Sequence, residues 1–179
     1  STEMIALQDC FDRILADDIL SPENIPAFTR STVDGYALNC ADSYGSSESL
    51  PGMLAYIGSV SMGKETPLKV GPGQCAWMPT GGMLPEGSNA VIMVEYTERL
   101  DEDTVLVFRP VGAWENVMQS GEDIAAGDLI FSRGHKVRPQ DIGLLASLGI
   151  KEVSVYSPYH VGILSTGDEI IPFQEQPRP

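Results

Sequence analysis

Between residues 53 and 108 the apolar residues arrive in short runs, at 53–60, 69–70, 74–78, 90–95 and 104–108, each divided from the next by glycine, proline or aspartate. Runs of that length and punctuation read as strands joined by turns. Thirteen prolines and 18 glycines in 179 residues suit a small β-domain with many tight turns, which we place at 28–123. The predicted class is therefore mixed but mainly β, with few short helices.

The flanks read differently. Residues 6–10 suit a short helix or turn, residues 13–19 an extended run, and Ser21-Pro22 and Ile25-Pro26 an extended linker, since proline fixes its own φ and restricts the residue before it. Residues 138–149 have apolar side chains at 142, 144, 145, 146 and 148, a proline near the first turn and a glycine at the end, the punctuation of a short helix. An alternating strand follows at 152–156. Residues 159–169 then read as a continuous apolar strand ending in the small-residue loop Ser165-Thr166-Gly167-Asp168-Glu169, as the first strand of an α/β domain would, with its loop at the carboxyl edge where ligands sit. One strand cannot close such a domain, so the expectation is a piece of a longer protein.

Charge and cysteine usage exclude several function classes. Eleven basic against 25 acidic side chains give a net charge of −14, a field that repels nucleic-acid phosphates and anionic lipid. Neither is an expected partner. Cys10, Cys40 and Cys75 form no metal-type pair and read as free thiols filling the core in a reducing compartment. With no membrane-length apolar run and no signal-peptide pattern, the expected location is the cytoplasm.

Candidate chemistry lies in four loops that combine acids or hydroxyls with glycine: Arg30-Ser31-Thr32-Val33-Asp34-Gly35-Tyr36-Ala37, Met78-Pro79-Thr80-Gly81-Gly82, Gly121-Glu122-Asp123, and the loop ending at Glu169. The plain alternative for Asp34-Gly35 is a hairpin turn, and for Glu122-Asp123 a turn cap. His135 and His160 are single and read as packing or solvent-facing residues. Glu98, Asp101, Glu102 and Asp103 read as a solvated hairpin tip, and Trp77 and Trp114 as core or interface.

These stretches, with Leu15-Ala16-Asp17-Asp18-Ile19, Leu84-Pro85-Glu86-Gly87 and Ala90-Val91-Ile92-Met93-Val94-Glu95, run in one order along nearly the whole chain. In that order the chain resembles the N-terminal part of a molybdopterin molybdenumtransferase of the MoeA and gephyrin E-domain family. The resemblance implies insertion of molybdate into adenylylated molybdopterin with release of AMP, assisted by magnesium. It implies catalytic roles for Asp34, Thr80, Asp123 and Glu169. Substrate would be bound by Gly35, Tyr36, Gly81, Gly82, Glu122, Ser165, Thr166, Gly167 and Asp168, and which acids hold the metal is left open. A homodimer and an upstream molybdopterin adenylyltransferase are the implied partners.

The implied architecture is a connecting α+β domain (1–27 and 124–157), the inserted β-rich domain (28–123), and the start of an α/β molybdopterin-binding domain (158–179). The residue types agree with this chemistry on separate grounds. Clustered acids can hold magnesium against anionic substrates, and Thr80-Gly81-Gly82 offers a hydroxyl and bare amides to an oxyanion. Gly82-Met83 stands where the family commonly has Ala-Pro, and Thr32-Val33 where it commonly has Ala-Met. Without the residues that follow in the family, the chain alone is expected to be inactive. The other reading of the same fold is a dimerisation or scaffolding module.

Overall fold

Residues 1–167 and 169–176 are described by the computed structural model. The strands, in chain order, are β1 (Thr2–Ala6), β2 (Ile19–Leu20), β3 (Arg30–Ser31), β4 (Gly35–Leu38), β5 (Gly52–Ser59), β6 (Gln74–Met78), β7 (Ala90–Met93), β8 (Thr97–Arg99), β9 (Thr104–Val107), β10 (Val117–Met118), β11 (Leu129–Phe131) and β12 (Glu152–Tyr156). Helix α1 (Pro139–Ser147) lies between the last two. The class is mainly β, as predicted. The chain forms two compact units, Ile19–Phe131, and Ser1–Asp18 with Ser132–Pro179.

The larger unit is organised by a six-stranded sheet in the order β7-β4-β6-β5-β9-β8. Strand β4 is antiparallel to both neighbours, with Gly35 opposite Met78 on one side and Met93 on the other. All four of its residues are buried. One face of the sheet packs Tyr36, Leu38, Leu54, Ile92, Val105 and Val107, while the other packs Ala37, Met78, Val91 and Val117. Burying each larger aliphatic side chain contributes about 1.5 to 3 kcal/mol, so a doubly covered strand is a firm base for the loops at its ends. The unit reaches to Ile19 and Phe131 because β2 pairs with β11. The edge hairpin β8–β9 carries the predicted acidic tip, where Asp101 Oδ1 accepts the Asp103 amide at 2.9 Å.

The smaller unit pairs the first strand with the last, from Thr2 opposite Tyr156 to Ala6 opposite Glu152. A single 3-10 turn at Leu7–Asp9 stands where 6–10 was read as helix or turn. Of the run predicted to be extended at 13–19, Ile14 bridges Lys136 and Leu15 bridges Val155, the chain bends at Ala16-Asp17, and Ile19 begins β2. Helix α1 opens with Pro139 and ends where Gly149, at φ +70°, lets the Ile150 amide reach the Leu145 carbonyl.

His135 is no isolated packing residue. Its Nε2 lies 2.7 Å from Oδ2 of the buried Asp141, whose carboxylate also accepts the Arg138 amide at 2.9 Å and the Arg138 guanidinium at 2.9 and 3.1 Å. Those Arg138 bonds, supported by His135, hold the Asp141 carboxyl far below the usual carboxylate range against the opposing effect of burial. A depressed folded pKa contributes stability above the unfolded value, near 3.9, that is lost as pH falls toward the folded one. Asp141→Ala should therefore lower unfolding free energy by about 2 to 3 kcal/mol at pH 7. In urea melts the gap from the parent should narrow at pH 3; a gap independent of pH would show that Asp141 acts by packing alone.

The three thiols are free and buried, and burial pushes that of Cys75 up to about 12, so they are core filler. The segment 159–169, read as a strand, shows no strand among its described residues. Tyr159, Val161, Ile163 and Leu164 are 80 to 97% exposed and pair with no strand among the described residues. A two-sided apolar strand needs neighbours on both faces, and no strand among the described residues stands beside these. Among the described residues no helix is long and apolar enough to cross a membrane.

Candidate functional site

Asp34 ends a turn that delivers the chain into β4, and every residue of that turn is pinned. Ser31 donates its amide to the Gly82 carbonyl at 3.0 Å and accepts the Gly81 amide at 2.8 Å, Thr32 donates to the Asn116 carbonyl at 3.0 Å, and the Asp34 carbonyl accepts the Val94 amide at 3.0 Å. The dipeptide Asp34-Gly35 is therefore not a hairpin turn, because β4 pairs with strands far along the sequence. Glycine is needed here for close approach. A Cβ on Gly35 would stand 1.9 Å from the Ile92 carbonyl oxygen.

Thr80 meets the carboxylate from the loop after β6. Its amide donates to Asp34 Oδ1 at 2.6 Å and its hydroxyl donates to the same oxygen at 2.8 Å. The amide bond first, then the hydroxyl bond, hold the Asp34 carboxyl below its ordinary value. At neutral pH Asp34 is thus an ionised acceptor with no proton to give. Its Oδ2 has no partner among the described residues, and the residue is exposed.

The amides of the Thr80 loop are not bare, contrary to the sequence reading. Thr80 spends its N–H on Asp34, Gly81 on Ser31, and Gly82 on the Pro79 carbonyl at 2.9 Å. The positive φ of Gly81, +80°, closes this turn. As folded, the loop clasps the carboxylate and offers no row of unused donors to an oxyanion. Gly35 and Tyr36, expected to bind substrate, are buried, with the Tyr36 ring 5.3 Å from that of Trp77 inside the sheet's core.

The Gly121 loop is tied to the same unit through residues 25–31. Gly121 donates to the Pro26 carbonyl and Asp123 to the Ile25 carbonyl, each at 3.0 Å. Thr29 links the two loops, its hydroxyl accepting the Ser120 amide at 3.2 Å and its carbonyl the Leu84 amide at 2.9 Å. Glu122 Oε2 accepts the Gln119 amide at 2.7 Å, so Glu122 caps its own turn while the Asp123 side chain is exposed. Glu169 and the exposed Ser165, Thr166 and Gly167 belong to the smaller unit. Asp168 lies outside the described residues.

The sequence drew no attention to Lys64. Together with Phe28, Gly63, Glu65, Gly81 and Met83 it lines a cavity of about 290 Å³ beside the Thr80 loop. The available signal was a lone cation next to a glycine in an acidic chain. Among the described residues no three His, Cys, Asp or Glu side chains stand together as ligands for a metal ion, whereas magnesium is commonly held by one or two carboxylates together with substrate phosphates.

A family model described as the MoeA N-terminal region, domain I and II, matches residues 1–149. The chain belongs to the MoeA family. The MoeA relatives include the molybdopterin molybdenumtransferase of Haemophilus influenzae, 39% identical over 171 residues, an alignment that covers 95% of this chain and 41% of that protein. Two crystal structures of the molybdopterin biosynthesis MoeA protein from Pyrococcus horikoshii share the fold. One superimposes with a TM-score of 0.88 at 37% identity over 100% of this chain and 46% of that one. The other gives 0.79 at 38% identity over 87% and 41%. The chain spans about two fifths of the length of the curated MoeA relatives it matches.

Proposed function

We propose that this chain carries the Asp34–Thr80 part of a site that inserts molybdate into adenylylated molybdopterin and releases AMP, as the N-terminal region of a longer, cytoplasmic transferase. The observation that carries the reading is the double clasp of Thr80 on one oxygen of Asp34, which leaves the other oxygen of an ionised carboxylate available. The free oxygen can orient, and take a proton from, the water needed as AMP leaves. Asp123, Glu169 and the Ser165-Thr166-Gly167-Asp168 loop keep the catalytic and substrate-binding roles that the family resemblance implies, a homodimer is the proposed assembly, and a molybdopterin adenylyltransferase would supply the nucleotide. In this proposal 28–123 is the inserted domain, 1–27 with 124–157 the connecting domain, and 158–179 the start of the pterin-binding domain. Magnesium would be held by carboxylates together with substrate phosphates, and no step is assigned to it.

Thr80→Val in the complete protein tests the reading. Valine keeps the backbone bond to Asp34 and removes the hydroxyl bond, so molybdate-dependent AMP release should fall about 10-fold with nucleotide affinity unchanged. Thr80→Ser should restore the rate. A Thr80→Val protein as fast as its parent would separate the clasp from the chemistry.

A further inference from the structure

Ser31 is 1% exposed and stands between the two loops that meet at Asp34. Its backbone takes both bonds to the Thr80 loop, to Gly81 and Gly82. Its hydroxyl makes two more within its own turn, donating to the Val33 carbonyl at 2.6 Å and accepting the Val33 amide at 3.2 Å. A serine bonding two residues ahead fixes the path of a short turn. Asp34 is the next residue after that ring. The backbone bonds hold Ser31 to the Thr80 loop whatever side chain it carries, so the hydroxyl's separate effect is on Val33 and, through it, on where the Asp34 side chain begins.

We propose that Ser31 is a positioning residue, whose buried hydroxyl sets the turn that holds the Asp34 carboxylate against Thr80. The inference rests on the proposed role of Asp34 for its functional meaning, but its geometry is tested separately. Without the hydroxyl, Val33 loses both bonds and the turn gains freedom. The short Thr80 contacts at 2.6 and 2.8 Å then lengthen or become intermittent. A carboxylate that loses its donors moves back toward its ordinary pKa.

The experiment is carboxyl-carbon NMR titration of this chain and its Ser31→Ala variant. The Asp101 carboxyl is the internal control, because it too is held low, first by the Asp103 amide, at an exposed hairpin tip of the same unit. In Ser31→Ala the Asp34 midpoint should rise by about half a pH unit or more while Asp101 stays where it was. An unmoved Asp34 would overturn the proposal. So would a rise of both midpoints together, which would show that Ser31 supports the unit as a whole. If Asp34 alone moves and the complete Ser31→Ala protein still releases AMP at the parental rate, Ser31 keeps its positioning role, and the catalytic role proposed for Asp34 is the part that fails.

Discussion

Gly35→Ala should unfold much of the larger unit. The added methyl carbon would stand 1.9 Å from the Ile92 oxygen, 2.8 Å from the Ile92 carbonyl carbon and 3.1 Å from the Met93 Cα, all backbone atoms of β7. A flexible side chain could swing away; a paired strand cannot. Relief requires β7 to leave β4, which gives up the register from Gly35 opposite Met93 to Leu38 opposite Ala90 and uncovers Val91 and Ile92, both 0% exposed. The expected loss is about 3 to 5 kcal/mol, in the range of backbone-level overpacking rather than of an ordinary surface change. Trp77, packed against Tyr36 in the same sheet, reports the transition by fluorescence in urea. A midpoint within about 1 kcal/mol of the parent would mean that β4 and β7 tolerate separation and that the glycine is there for some other reason.

The same glycine shows where the sequence is legible and where it is not. Turn chemistry is local, so the strands near 53–60, 74–78, 90–95 and 104–108 and the helix near 138–149 can be read from punctuation alone. Asp34-Gly35 carries the same punctuation, yet its glycine answers a neighbour almost sixty residues away, and a local reading cannot tell a turn from a close approach. Strand β1 was hidden for a related reason. Its partner is β12, some 150 residues on, and Met4 is exposed, so the segment shows no clean alternation.

The candidate site divides along the same line. That Asp34 and Thr80 belong together followed from the family resemblance, whereas the direction of their bonds did not. Sequence suggested a loop of open amides, but Ser31 and Pro79 supply carbonyls that use up the Gly81 and Gly82 donors. The His135–Asp141 pair was equally invisible, since a spacing of six residues across a helix start has no periodic signature. Partners of polar groups depend on how loops cross, and that is set by the sheet beneath them.

Asp34→Asn in the complete protein should slow molybdate-dependent AMP release by roughly 10²-fold, the scale of a lost acid-base contact. Asparagine keeps an oxygen where Oδ1 accepts the Thr80 amide and hydroxyl, so the clasp and the strand start survive. What changes is the other end of the group, where an anionic acceptor becomes an NH₂ donor that repels the proton it should receive. The parent's pH profile should carry the same signature. Because Thr80 holds the Asp34 carboxyl low, the ionised form persists below the usual carboxylate range, and this group should limit the rate only in acid, below about pH 4. Asp101→Asn is the matched control, being an exposed aspartate whose carboxyl is likewise held low, first by the Asp103 amide and then by the Thr104 hydroxyl, but lies at the β8–β9 tip. Its AMP release should equal the parent's. Nucleotide affinity should be unchanged in both variants, so the loss appears in kcat. Equal rates for the two variants would make the Thr80 clasp a device for holding a loop, with the chemistry located in other residues.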